Sequence, residues 1–413
     1  MDLNQISLSL EKVCNQYRGI VNIPIPFIPQ GVMFQPYSLT PTFCARVGFW
    51  QVANILETLL DALHACAYQN QNNGDNTITY TCGHRIHSIR LPNQKKIYLG
   101  WIYNSAPCIL LTQMIGGWNG LWTDDCLWGC LLFLRQFTEL KRQRRWMHIP
   151  VRFWEEVYAH RYNSFSINGK EYYSTWWQWR KGNYTDGYRN CITNALFLVL
   201  TMRLLELDVR VEGLKPHVAR ELFEFLSLLF VNGLFMDGLV EIGTSLCPAG
   251  NTYSYLQGVV MYGIFLYYRY SKDPRARLLL QTLLTTLTSM PNPLVNGKGI
   301  LGFSGDSAQV LSNTSNVAGD SFNGIFFRYL TRTLEEWKED KTMLGEQLYD
   351  NCIAFIKNNQ TWLANNGSRD NTFHNEWCLT QTQTDTLSNQ MFTTQNTCSA
   401  IDLFLSIYLL ETE

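Results

Sequence analysis

Apolar residues recur at helical spacing in about twelve separate segments, and this pattern limits the fold more than any motif does. The segments lie at 2–18, 45–70, 97–116, 124–142, 150–161, 188–208, 215–231, 254–271, 274–289, 320–338, 341–363 and 394–411. Proline and glycine clusters such as Met290-Pro291-Asn292-Pro293 separate them. Helices of similar length joined by such breaks predict antiparallel pairs, six in all, arranged as a closed toroid or an open solenoid. The stretch Asn76–Thr81 alternates as a strand would and predicts a small hairpin within a loop near 70–97. No compositional shift, low-complexity tract or fixed-period repeat interrupts the pattern. The expectation is one all-α domain over residues 1–413.

Charge narrows the partners. The formal net charge is −1, which gives no electrostatic footprint for nucleic acid or an anionic membrane. No run approaches the length of a spanning helix. The start, MDLNQISLSLEK, has neither a basic nor an apolar leader region. The chain is therefore expected in the cytosol as given, or outside the cell if an export signal is missing from it. Charged residues make up only 16% and aromatics 14%, which suits a stacking groove as well as a large core. The 12 cysteines are scattered, and Cys130 and Cys352 fall in apolar helical runs as inert buried thiols would. Asn-x-Ser/Thr sites at Asn183, Asn313, Asn359 and Asn366 do not establish secretion in so Asn-rich a chain.

One place asks for chemistry. In GWNGLWTDDCLW, Asp124 and Asp125 stand side by side between Trp122 and Trp128, and an apolar run follows at once. Acidic residues complement the start of any helix, with Thr123 as the cap. Here that start faces the interior. Adjacent helical residues point about 100° apart with Cα atoms about 3.8 Å apart, so the two carboxyls diverge by several ångströms. Retaining glycosidases need about 5–5.5 Å between their carboxyls and inverting ones about 6.5–9.5 Å, so adjacency favours retention. Trp50, Trp122, Trp128, Trp176, Trp177 and Trp179 offer flat faces for sugar rings, or simply fill a core. Trp176 and Trp177 lie in a polar loop, which favours a ligand contact.

The pair and its surroundings resemble glycoside hydrolase family 76, the endo-α-1,6-mannanases. Beyond Asp124-Asp125, residues 49–59 are similar to the family's early Trp…Asn-x-Leu helix, and Trp176-Trp177 resembles its Trp-Trp segment. Asn190–Leu198 resembles Ile-Thr-Asn-x-Leu-Phe, and Tyr253–Gly258 resembles Tyr-x-Tyr-Asn-Gln-Gly. Gly319–Phe326, with Arg328-Tyr329-Leu330, resembles the later Phe-Lys-Gly-Ile segment. The matches keep family order over roughly 45–410.

The resemblance implies an (α/α)6 toroid of the six-hairpin glycosidase kind, with a groove at one end. It implies Asp124 as nucleophile and Asp125 as general acid/base, one ionised and the other with a raised pKa. The candidate sugar contacts are Trp50, Trp122, Trp128, Trp176 and Trp177, which core filling would also explain, and the inward polar groups Asn54, Asn194, Tyr255, Gln257 and Asp320, which need partners that a sugar or neighbouring backbone would supply. The expected partner is a mannan-like oligo- or polysaccharide, bound by a monomer without metal or organic cofactor. Hydrolysis, transglycosylation at cell-wall or glycolipid mannosides, and non-catalytic carbohydrate binding are the three readings. The last is motivated by Thr123, Cys126 and Leu256, which stand where the family has an aromatic, Glu and Asn.

Two other clusters have plainer readings. His64, Cys66, Cys82, His84 and His87 match no standard zinc spacing. A Cys66–Cys82 disulfide competes if the chain is exported, and an ordinary surface hairpin is preferred. The run Lys141-Arg142-Gln143-Arg144-Arg145 offers charge to a phosphate but more simply complements a helix C-terminus.

Overall fold

A computed structural model describes residues 18–19, 32–33, 50, 53–58, 60–62, 77–82, 85–90, 122–139, 147–178, 188–242, 245–289, 291–302, 322–369, 372–373, 377 and 394–411. The helices are α1 (residues 53–58 and 60–62), α2 (Thr123–Glu139), α3 (His148–His160), α4 (Cys191–Glu206), α5 (Pro216–Leu228), α6 (Ser254–Ser271), α7 (Pro274–Thr288), α8 (Phe322–Lys338), α9 (Glu346–Asn366) and α10 (Thr394–Glu411). The expected helices at 2–18 and 97–116 lie outside the described residues, apart from Arg18.

Burial sorts the helices into two layers. Almost every residue of α4 and α6 is buried, as a helix surrounded by others requires. In α5 and α7 a single stripe is buried, Val218, Ala219, Leu222, Phe223 and Leu226 in the first of them. Inner helices α2, α4, α6, α8 and α10 pack in that order. Outer helices α3, α5, α7 and α9 lie against them. Side-chain bonds between inner helices advance together along both partners: Ser254 to Asn323, then Tyr262 to Glu336. The inner helices are therefore parallel, and their N-termini gather at one end. Gly324 permits this spacing, because a Cβ there would lie 2.3 Å from the Cα of Ser399 in α10.

Charge closes the ring. The guanidinium of Arg328 in α8 donates to Asn54 Oδ1 (2.7 Å), Asn54 O (2.9 Å) and Thr58 Oγ1 (2.8 Å) of α1, and to Asp402 Oδ2 (2.6 Å) of α10. Arg135 of α2 pairs with Glu57 and with Asp61 at 2.7 Å, and Arg332 of α8 reaches Glu57 at 2.5 Å. Burial alone would raise Glu57 and Asp61, yet these arginines hold both below the usual carboxylate range. The result is an all-α (α/α)6 toroid. No helix among the described residues is long and apolar enough to cross a membrane.

Short strands decorate the toroid. Thr77–Cys82 pairs antiparallel with Arg85–Arg90, the hairpin expected near 70–97. A second hairpin, Tyr162–Ile167 with Lys170–Thr175, turns through Asn168 and Gly169 at positive φ. The helix expected over 215–231 ends at Leu228. Phe230–Val231 instead pairs with Leu234–Phe235 across Asn232-Gly233, another positive-φ turn. A three-stranded sheet orders Ser245–Ala249, Gly238–Ile242 and Arg189–Asn190. The hairpin at 162–175, the pair at 230–235 and the three-stranded sheet lie in the segments that lead into α4 and α6, at the N-terminal end of the inner ring.

Candidate active site

Helix α2 starts at Thr123, which is its first residue rather than its cap. The Thr123 backbone N–H donates to Trp177 O at 2.9 Å, and its buried hydroxyl accepts from Arg161 Nη1 at 3.0 Å. Asp124 and Asp125 follow, both half-buried, on the floor of the end where inner N-termini converge.

The two carboxyls are held differently. Asp124 Oδ1 accepts from the Asp125 backbone N–H (3.0 Å), and Oδ2 accepts from the Trp177 indole Nε1 (2.9 Å). Asp125 receives no hydrogen bond from the described residues. Burial raises Asp124 to about 6 against the pull of these donors. Burial, then the charge of Asp124, pushes Asp125 up to about 8. One carboxyl is thus the better place for the charge and the other for the proton.

Two buried amides hold the loops around the pair. Asn194 in α4 accepts from Thr175 N (2.7 Å) and donates to Thr175 O (3.2 Å) and Asn190 O (2.8 Å). Gln257 in α6 accepts from Phe235 N (2.9 Å) and donates to Phe235 O (2.9 Å). Each side chain thus does what a neighbouring strand would do for a backbone leaving a sheet. The first clamp fixes the residue before Trp176-Trp177. The second fixes the turn that carries Asp237. Of the two partners open to these amides, sugar or neighbouring backbone, the bonds observed are to backbone.

Asp237 is a third acid, unannounced by any motif in the sequence. Its Oδ2 accepts from the Tyr188 hydroxyl, and burial raises its pKa. The sheet brings the two together, since Gly238 pairs with Asn190 and Leu239 with Arg189. Gly238 is required there: a Cβ would come within 2.7 Å of the Tyr188 oxygen and 2.8 Å of Arg189 O.

The expected aromatic contacts divide. Trp122 and Trp177 stand together, ring centres 6.1 Å apart, beside the acids. Trp50, Tyr253 and Tyr255 gather around Phe322, the closest being Tyr255 at 4.1 Å. Trp128 belongs elsewhere: it is 5% exposed and packs on Tyr329 in the core, because one helical turn beyond Asp124 the side chain points into the ring. Trp176 has the Arg189 guanidinium over its ring at 3.9 Å, so a cation covers that surface. Asn54 is buried, bonded to Trp50 O and Arg328. Asp320 and Trp179 lie outside the described residues.

The departures from the family pattern have a common explanation. Thr123, Cys126 and Leu256 are each fully buried, so none of the three lines the groove. Burial pushes the Cys126 thiol far above its ordinary range, so it is no nucleophile. Cys130 and Cys352 are free buried thiols. Of the His/Cys cluster, the strand positions Cys82 and His87 are described only as backbone, and His64, Cys66 and His84 lie outside the described residues, as does the run 141–145.

Known structures repeat this architecture. The GH76A alpha-1,6-mannanase from Salegentibacter sp. HEL1_6 is similar over 99% of this chain and 100% of its own, at TM-score 0.67 and 17% identity. Its inactive variant, with two neighbouring aspartates replaced and alpha-1,6-mannotetrose bound, matches over the whole of both chains at TM-score 0.70 and 17% identity. Dfg5 from Chaetomium thermophilum, solved with glucosamine, matches at TM-score 0.60 and 14% identity, covering 98% of this chain and 90% of its own. No curated protein sequence matches. The model of glycosyl hydrolase family 76 matches residues 32–409, and the chain belongs to that family.

Proposed function

We propose that the protein is a retaining glycoside hydrolase acting on α-1,6-linked mannan or a related mannose-containing glycan. The unequal hydrogen bonding of the two adjacent acids carries the reading. Asp124, ionised, attacks the anomeric carbon. The leaving oxygen takes the proton of Asp125. Asp125 then accepts a proton from water, whose oxygen displaces Asp124 and releases the sugar with its original configuration. The bound mannooligosaccharides of the Salegentibacter enzyme support the substrate class. Trp122 and Tyr255 give the groove aromatic surfaces on which a pyranose can lie.

Linear α-1,6-mannan followed by proton NMR tests this. The first product should be the α-anomer, and Asp124→Asn and Asp125→Asn should each abolish turnover while circular dichroism stays unchanged. A β-anomer as first product would overturn retention, and full activity in either variant would overturn the site. Because Arg328 closes the ring within one chain, we also read the protein as a single catalytic domain acting as a monomer. Light scattering should give a mass near 47.8 kDa.

A further inference from the structure

We propose that Trp177 is a positioning residue that lodges the negative charge of the acid pair on Asp124, and that Tyr188 and Asp237 hold its indole in place. This rests on the retaining reading above. It moves Trp177 from the sugar platform expected of it to the support of the nucleophile.

The geometry is over-determined. The Trp177 backbone is tied on both sides: its N–H donates to Tyr188 O (3.2 Å) and its C=O accepts from Thr123 N (2.9 Å). Its ring meets Tyr188 edge-on, centres 5.9 Å apart and planes at 85°. The far end of Tyr188 is bonded to Asp237. Asp237 is fixed in turn, since its C=O accepts from Cys191 N at 2.6 Å. Three separate elements thus aim one N–H at one oxygen.

The electrostatics make that N–H consequential. The groups facing Asp124 are Asp125 and Cys126 on its own helix, Asp237 from the sheet turn and Tyr255 from α6. Arg161 approaches from behind and spends Nη1 on Thr123. No cation among the described residues pairs with either carboxylate. Two like charges this close resist ionising together, so whichever carboxyl has donors keeps the charge. The indole is the one side-chain donor on the pair among the described residues. Phenylalanine at 177 would keep an aromatic ring between Trp122 and Tyr188, though a smaller one, and remove the donor.

The test compares wild type with Trp177→Phe, Trp177→His and Tyr188→Phe by two readouts. The first is carbon NMR titration of aspartate-labelled protein without substrate, with Asp124→Asn assigning the pair. The second is the pH profile of kcat/KM on α-1,6-mannan. In Trp177→Phe the lower apparent pKa of the pair should rise by about one pH unit, and kcat should fall about tenfold or more with KM within about twofold. Trp177→His, which keeps a ring N–H, should recover part of both, and Tyr188→Phe should shift the same limb by less. An unchanged titration in folded Trp177→Phe would overturn the proposal. So would a raised KM with an unmoved pH profile, the mark of a lost sugar contact. The titration stands without turnover, so failure of the hydrolase reading would show separately as a wild type that cleaves no mannan. Should Trp177→Phe fail to fold, a Tyr188→Phe protein with unmoved titration overturns the brace, and a moved one sustains it.

Discussion

Replacing Asp125 with Asn should make the protein more stable while removing its activity, and the gain should depend on pH in a calculable way. Asp125 titrates at about 8 in the folded chain against an ordinary 3.8, because burial and then the charge of Asp124 oppose its ionisation. The folded state therefore holds this proton more tightly than the unfolded state does. That contribution to stability is complete below about pH 4 and is lost progressively as pH rises toward about 8. At 1.36 kcal/mol per pH unit, the whole interval sets an upper bound of about 6 kcal/mol. The carboxyl is partly solvated and shares its titration with Asp124, so about 2 kcal/mol is the expected size at pH 8. Asparagine carries no such burden. Unfolding entropy of about 2.1 cal/mol/K per residue makes 2 kcal/mol worth about 2–3 °C in a chain of this length. Differential scanning calorimetry of both proteins from pH 4 to 9 measures it. The Tm difference should be near zero at pH 4, widen in favour of the variant up to pH 8, and then level. A difference that stays flat across this range, or favours wild type at pH 8, would refute the assignment of the proton to Asp125.

Arg328→Met should destabilise the fold by about 3–5 kcal/mol in urea melts, because Asp402 and Asn54 lose a buried partner, and adding Asp402→Leu should recover part of the loss. Gln257→Leu strands the N–H and C=O of Phe235 in the interior, so a loss of about 2–4 kcal/mol is expected together with reduced turnover. A urea melt of Gln257→Leu that overlays wild type would show that this clamp is dispensable.

The outer helices were legible by their period, and the inner ones, apolar nearly all round, by the length of their apolar runs. The starts at Ser254 and Pro274 coincide with those expected, and Phe322 and Cys191 fall within a few residues of theirs. The strands were less so. Asn168-Gly169 and Asn232-Gly233 are hairpin turns by residue type alone, yet the apolar run into Val231 reads as a continuing helix. Local pattern could not say that a strand partner waits at Leu234. In the site, the acid pair and the aromatic Trp177 were visible, but their relation was not. The direction in which an indole donates is set by tertiary contacts. Asn194 and Gln257 illustrate the converse: a buried amide looks the same in sequence whether it meets a ligand or a backbone. Asp237 had no signal beyond a Met-Asp-Gly turn, because its meaning comes from the sheet that places it beside Tyr188.

The bond set of Arg328 also fixes an order of events in biosynthesis. Its partners Asn54 and Asp402 lie 274 positions before it and 74 after it. At about 5–20 residues per second, a ribosome takes roughly 20–70 s to pass from one to the other. For most of that interval α2 and its two acids already exist, while α10 does not. The nascent chain carries an open arc whose apolar seam faces water. Proteolysis or chaperone capture should therefore act on ribosome-bound chains ending before Asp402, and should cease once that helix emerges.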